Sequence, residues 1–162
     1  MSWYAIGIDP GKTGALAAIR NDGFPGGIWD YPGDPASLWA MLRNSLLNDP
    51  NSFDVRLAVL EKVSAMPKQG VSSTFKFGTN FGIWQATVAA LRWPMELISP
   101  QRWRQVLDSS VPAKPNKDDL LALALRKWPM MEDRLFRKKD HNRAEALIMA
   151  EYARLRVLGQ AK

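Results

Sequence analysis

The sequence predicts an α/β fold. It should be a mixed β-sheet that opens as an antiparallel meander, continues in parallel strands and is flanked by α-helices. Two observations predict it. The first thirty residues hold short apolar runs rich in β-formers, separated by tight-turn signals. Beyond them, strand-like runs alternate with helical patterns, the order that covers a sheet with helices. All-α and all-β architectures do not fit that order.

The first strand is Trp3–Ile8 (WYAIGI), which runs into Asp9-Pro10-Gly11. A second apolar run, Gly14–Ile19, is closed by Asn21-Asp22-Gly23, a hairpin signal, and Gly27–Tyr31 supplies a third strand. Asp34-Pro35 reads as an N-cap followed by proline at the first helical position. Leu38, Met41, Leu42 and Leu46 continue that helix at its natural spacing until Asp49-Pro50. Val55–Leu60 is a buried-type strand ending in Glu61. Residues 64–80 are rich in Ser, Lys, Gly and Thr and read as a mobile loop, leading to a helix from Phe81 to Leu91. Met95–Ile98 is a short strand closed by Ser99-Pro100, and Trp103–Leu107 reads as helical. A polar, proline-broken loop, Ser109–Lys117, precedes a helix over Asp118–Trp128 that stops at Pro129. The last helix is read over Ala144–Leu158. No repeat or linker divides the chain, so a single domain over 1–162 is expected.

Composition excludes several chemistries. With no cysteine there are no disulfides, zinc–thiolate sites, iron–sulfur clusters or thiol nucleophiles. The single histidine, His141, excludes a multi-histidine metal site. No apolar run reaches the roughly 18 residues of a membrane span, and the N-terminus lacks the basic region of a secretory signal. A soluble, cytoplasmic domain with oxygen-based chemistry, or none, is therefore expected. The net charge of +6 is unevenly placed: residues 1–100 are neutral, and the whole excess lies in residues 101–162. Arg134, Arg137, Lys138, Lys139 and Arg143 concentrate it within ten positions. Such a patch suits a polyanion, because each lysine or arginine contact releases counterions from nucleic acid. A basic surface serving solubility is the competing account.

Three carboxylates stand out. Asp9 and Glu61 each end an apolar strand, so if those strands are parallel neighbours both acids emerge at one carboxyl edge, where open α/β sheets place ligand sites. Glu145 lies among Ala144, Ala146 and Leu147 on a helix face suited to packing on the sheet, where a carboxylate is costly unless paired or bound to a cation. Taken singly, Asp9 reads as a turn former and the two glutamates as solvated residues. Together, without cysteine and with one histidine, they form a hard oxygen set suited to Mg²⁺ or Mn²⁺. Two such ions about 3.5–4 Å apart can activate water and stabilise the leaving oxygen of a phosphodiester.

Three blocks carry a resemblance that spans nearly the whole chain. Ile6-Gly7-Ile8-Asp9-Pro10-Gly11-Lys12-Thr13-Gly14, Leu57-Ala58-Val59-Leu60-Glu61-Lys62-Val63 and Asp140-His141-Asn142-Arg143-Ala144-Glu145-Ala146-Leu147 resemble, in order and spacing, the RuvC-like Holliday junction resolvases, especially short phage-type members. Between them Lys114–Ala124 resembles the family's basic segment before a helix. The resemblance implies an RNase H-like fold, a homodimer in the cytoplasm of a bacterial or phage-infected cell, and two Mg²⁺ or Mn²⁺ ions per site. It implies structure-selective cleavage of four-way DNA junctions in recombination and repair. It carries Asp9 and Glu61 over as metal ligands, and Glu145 onto a position usually Asp. The family's further acid or histidine, three residues before the last ligand, is here Asn142. Asp140 and His141 are the candidates for the fourth place, so the catalytic set reads Asp9, Glu61, Asp140 and Glu145, and the metal set Asp9, Glu61, His141 and Glu145. Candidate DNA contacts are Lys12, Lys68, Lys76, Lys114, Lys117, Arg137, Lys138, Lys139 and Arg143. Phe75 or Phe77 stands in for the aromatic wedge that some members place after the strand-ending glutamate, with core packing as the competing account. The seven tryptophans suggest an interface, with Trp84 or Trp93 as candidates.

Gly11-Lys12-Thr13 is not a phosphate-binding P-loop, since Gly7 stands one residue too close and no helix follows. Asp9-x-Gly-x-Thr also resembles the phosphate loop of actin-like ATPases, but those need a second domain to enclose ATP. The remaining alternatives are a non-catalytic DNA-binding or junction-binding protein with an incomplete metal site, motivated by Asn142, and an RNA-directed nuclease of the same fold.

Overall fold

A computed structural model describes residues 2–47, 54–62 and 70–161. Five strands, β1 (Tyr4–Asp9), β2 (Ala15–Arg20), β3 (Pro25–Asp30), β4 (Val55–Glu61) and β5 (Met95–Ile98), form one sheet in the order β3-β2-β1-β4-β5. The pairs β1–β2 and β2–β3 are antiparallel, and β1–β4 and β4–β5 are parallel. Meander and parallel strands follow as the sequence predicts.

Helix α1 (Pro35–Leu42) begins at Asp34, whose carboxylate caps Ser37 N at 2.9 Å. It runs on as a wider turn over Arg43–Leu47. Helix α2 (Val71–Ala90) starts ten residues before the predicted Phe81. Serines, threonines and a glycine lower the helical preference of residues 71–80, which is why they read as loop. The hydroxyls of Thr74 and Thr79 instead donate back to the carbonyls of Gly70 and Phe75, one turn earlier. Helix α3 (Pro100–Trp103) is a single turn, extended by Arg104–Val106. Helix α4 (Lys117–Lys127) opens with a reciprocal capping box between Asn116 and Asp119. Helix α5 (His141–Val157) follows two short 3₁₀ turns, Pro129–Arg134 and Lys138–Asp140, and begins three residues before the predicted Ala144.

Alternation along the strands sorts the core into two layers. Ile6, Ile8, Leu16, Ala18 and Leu60 face α1 and the C-terminal half of α2, where Leu38, Leu42, Trp84 and Val88 meet them. Ala5, Ala15, Ala17, Ile19 and Val59 face α4 and α5. Trp84 is completely buried beside Tyr31, so it is a core residue of the chain and not an interface residue; Trp93 packs at that layer's edge. Helix α5 lies close on β1 because small residues line the contact. A Cβ added at Gly7 would sit 2.1 Å from the Ala146 carbonyl oxygen and 2.3 Å from Ala150 N. Among the described residues no helix is long and apolar enough to cross a membrane.

Candidate active site

The same alternation that buries Ala5 toward α5 points Asp9 there too, at the end of β1. Ile8 stands opposite Leu60 in the parallel β1–β4 pair, so Asp9 and Glu61 follow one another at adjacent strand ends. Glu145, in the second turn of α5, faces them, and Gly7 sets how near it comes. Glu145 feels both of the other acids, and Glu61 feels Asp9. Burial, then the charges of Asp9 and Glu61, push the Glu145 carboxyl up from its ordinary 4.5 to about 7. Burial also raises Asp9, against the pull of the Gly11 amide, Lys117 and His141. Glu61 is raised by burial and by Asp9, against a hydrogen bond from Trp103 and the charge of Arg104.

Each acid is positioned by the local chain. Asp9 Oδ1 accepts from Gly11 N at 2.9 Å, and Gly14 closes that turn at a point where a Cβ would lie 2.1 Å from the Asp9 carbonyl oxygen. Glu61 Oε1 accepts from the indole Nε1 of the fully buried Trp103 at 3.0 Å. The Arg104 guanidinium lies over the same indole ring at 5.2 Å, and its buried Nε has no hydrogen-bond partner among the described residues. Trp103 and Arg104 escaped the sequence reading. The signal that finds them is topological: both follow β5, the third parallel strand, at the carboxyl edge that carries Asp9 and Glu61.

The remaining candidates separate by position. His141 and Lys117 stand beside Asp9 as part of its electrostatic surround. Lys117 Nζ donates to His141 Nε2 at 2.9 Å, which leaves His141 Nδ1 to donate to the Lys138 carbonyl at 3.2 Å. Asp140 is not brought to the acids. It is completely buried, and its carboxylate accepts from Arg137 N at 2.8 Å, Arg137 Nε at 2.8 Å and the terminal guanidinium nitrogen at 2.6 Å. Arg137 and Arg143 both reach across to Asp30 at the end of β3, at 3.1 and 2.6 Å. These two arginines, expected on DNA, pair with the half-exposed Asp30 and the buried Asp140 and so tie the start of α5 to the sheet. Asn142 is buried and donates to the Thr13 carbonyl and to Thr13 Oγ1, pinning the β1–β2 turn.

Lys138 and Lys139 are exposed and form no ion pair with a described residue. Lys12, Phe75 and Lys76 line one cleft of about 390 Å³ with Tyr31 and Thr79, between the β1–β2 turn and α2. Phe75 is 75% exposed and belongs to no core, whereas Phe77 is half-buried. Lys114 is exposed in the loop before α4. Lys68 lies outside the described residues.

Among the described residues no three acids or histidines close on a single point as a finished metal cage. The chemistry of the donor set nonetheless fits a divalent cation. Three carboxylates are held in a partly buried cluster, and burial pushes each toward its protonated form. Asp9, Glu61 and Glu145 are the residues that would hold it.

A sheet ordered 3-2-1-4-5, antiparallel then parallel and flanked by helices, is an RNase H-like fold. Two particular solved structures share it over the full length of both chains. A Thermus thermophilus RuvC structure is 17% identical with a TM-score of 0.54, covering 100% of this chain and 99% of its own. T. thermophilus RuvC in complex with a Holliday junction substrate is 18% identical with a TM-score of 0.53, covering 99% and 98%. At these identities the likeness is one of fold. No family profile matches the sequence, and no curated protein matches it.

Proposed function

We propose that this protein is a divalent-metal-dependent endonuclease that resolves four-way DNA junctions. The observation that carries the reading is the convergence of Asp9, Glu61 and Glu145 at one sheet edge, where burial disfavours their charged forms. Bound there, Mg²⁺ or Mn²⁺, one ion or two, would activate water and offset the charge of the scissile phosphodiester. The chain's own residues do the rest. Asp9 is fixed by the Gly11 amide and Glu61 by the Trp103 indole, so neither swings freely. Lys117 and Arg104 border the acids as the nearest cations and suit the non-bridging phosphate oxygens. Exposed Lys12, Lys76, Lys114, Lys138 and Lys139 suit the flanking backbone. Phe75, exposed on the N-terminal half of α2, suits an unstacked base at the branch.

A homodimer would present two such sites to the two strands of a nearly two-fold junction. Support for branched DNA comes from the shared fold and from the complex of T. thermophilus RuvC with its Holliday junction substrate. The test is cleavage of four-way junctions against linear duplex in Mg²⁺, Mn²⁺ and EDTA. Metal-dependent paired nicks in junctions support the proposal. Tight junction binding without nicks in either metal would favour a non-catalytic junction binder, a reading motivated by the incomplete closure of the acids.

A further inference from the structure

We propose that residues 134–139 form a second DNA contact, in which Phe136 stacks on an unpaired or unstacked base and Lys138 and Lys139 hold the flanking phosphates. The inference rests on the reading of branched DNA as substrate. Phe136 is 72% exposed, between Leu135, buried at 1%, and Arg137. An isolated exposed aromatic needs no explanation. This one differs in how it is held and in what surrounds it.

The backbone on both sides is fixed. Leu135 is anchored in the layer under α5, and the Arg134 carbonyl accepts from Arg143 at 2.9 Å. Arg137 is locked by its main-chain N–H and its guanidinium onto the buried Asp140 and by Asp30. A phenyl ring presented from a rigid frame loses little conformational freedom on binding. The segment itself carries net positive charge, beside the exposed acids Glu132 and Asp133 that precede it. Four of the six residues 134–139 are basic. Arg137 is consumed by internal ion pairs, so Arg134, Lys138 and Lys139 remain for a partner, with no ion pair to a described residue. A protein partner for an exposed phenyl would favour an apolar surround. A ring set among unpaired cations suits nucleic acid, whose bases offer π-faces and whose backbone offers charge. The segment also adjoins the candidate active site: Lys139 lines a small cleft with Lys12 and Thr13 of the β1–β2 turn, and Lys138 holds His141.

The test compares wild-type protein with Phe136→Ala, Phe136→Trp and Lys138→Gln/Lys139→Gln, all in EDTA so that binding is read without cleavage. The probes are a four-way junction with 2-aminopurine beside the branch and a linear duplex carrying it centrally. Wild-type protein should change the 2-aminopurine emission at the branch. Phe136→Ala should lose that signal and bind the junction between about five-fold and about 150-fold more weakly. Its duplex affinity and its salt slope should stay at wild-type values. Phe136→Trp should restore both junction affinity and signal, which a merely structural role would not predict. The double lysine variant should keep the branch signal and flatten the salt slope by up to about two units. Wild-type affinity and signal in Phe136→Ala, or an equal loss on duplex and junction, would overturn the inference and leave the proposed function standing. A wild-type protein that does not prefer junctions to duplex would instead overturn the proposed function itself.

Discussion

Neutralising Glu145 should stabilise the metal-free protein. Its folded carboxyl titrates at about 7 against an ordinary 4.5, so the folded chain holds that proton more tightly than the unfolded chain does. Stability therefore falls as pH rises from about 4.5 to about 7, and the loss is complete above the folded value. At 1.36 kcal/mol per pH unit, this displacement amounts to about 3 kcal/mol at pH 8. Glu145→Gln keeps the shape and removes the charge. In urea or thermal denaturation at pH 8 in EDTA, the variant should exceed wild type by up to about 3 kcal/mol, or on the order of 6–12 °C in Tm for a domain this size. Below pH 4.5 the two should converge. Added Mg²⁺ or Mn²⁺ should raise the wild-type Tm at pH 8 far more than the variant's, because a ligand that binds only the folded state stabilises by mass action. A Glu145→Gln protein equal to or less stable than wild type at pH 8 in EDTA would refute the acidic cluster as a strained, cation-requiring site.

Other perturbations separate chemistry from scaffolding. Asp9→Asn and Glu61→Gln should abolish metal-dependent cleavage while leaving junction affinity within a few-fold, checked by parallel nicking and gel-shift titrations. Trp103→Phe retains a ring beneath Arg104 but removes the indole donor to Glu61; it should weaken Mn²⁺ binding by about ten-fold or more, read by calorimetry, since a hydrogen bond to a charged group is worth about 1.5–3 kcal/mol. Asp140→Ala removes the buried acceptor of the Arg137 main-chain N–H and guanidinium, leaving Arg137 only the half-exposed Asp30, and should lower stability in urea denaturation, a loss that added metal does not relieve. Gly7→Ala forces a Cβ into the backbone of α5 and should both destabilise the protein and weaken metal binding, by moving Glu145 away from Asp9.

The sheet was legible because strand signals are local. Turn residues bound each run, and Asp9 and Glu61 stand at the ends of runs whose alternation fixes the face they take. Glu145 was legible because small residues around an acid imply a helix face against a sheet. The N-terminal half of α2 was not, because its hydroxyls satisfy the backbone only once the helix exists. The basic run was read as one surface, whereas the fold divides it. Arg137 and Arg143 meet Asp30 more than a hundred residues away, a pairing that no local pattern encodes, and Asp140 is drawn into the same network. Trp103 and Arg104 were missed because their importance comes from the parallel placement of β5 beside β4, not from their neighbours in sequence. Trp84 shows the converse error: an abundance of tryptophan suggested an interface, and the packing places this one wholly inside.

A cation-dependent site formed by Asp9, Glu61 and Glu145 should act on branched DNA. Its most direct test is incubation of the wild-type protein with mobile and immobile four-way junctions and with linear duplex, in Mg²⁺, Mn²⁺ and EDTA, beside Asp9→Asn. Paired, symmetric nicks are expected in junctions only, in metal only, and none from the variant. Nicks that persist in EDTA or in Asp9→Asn, or equal cleavage of linear duplex, would contradict that expectation.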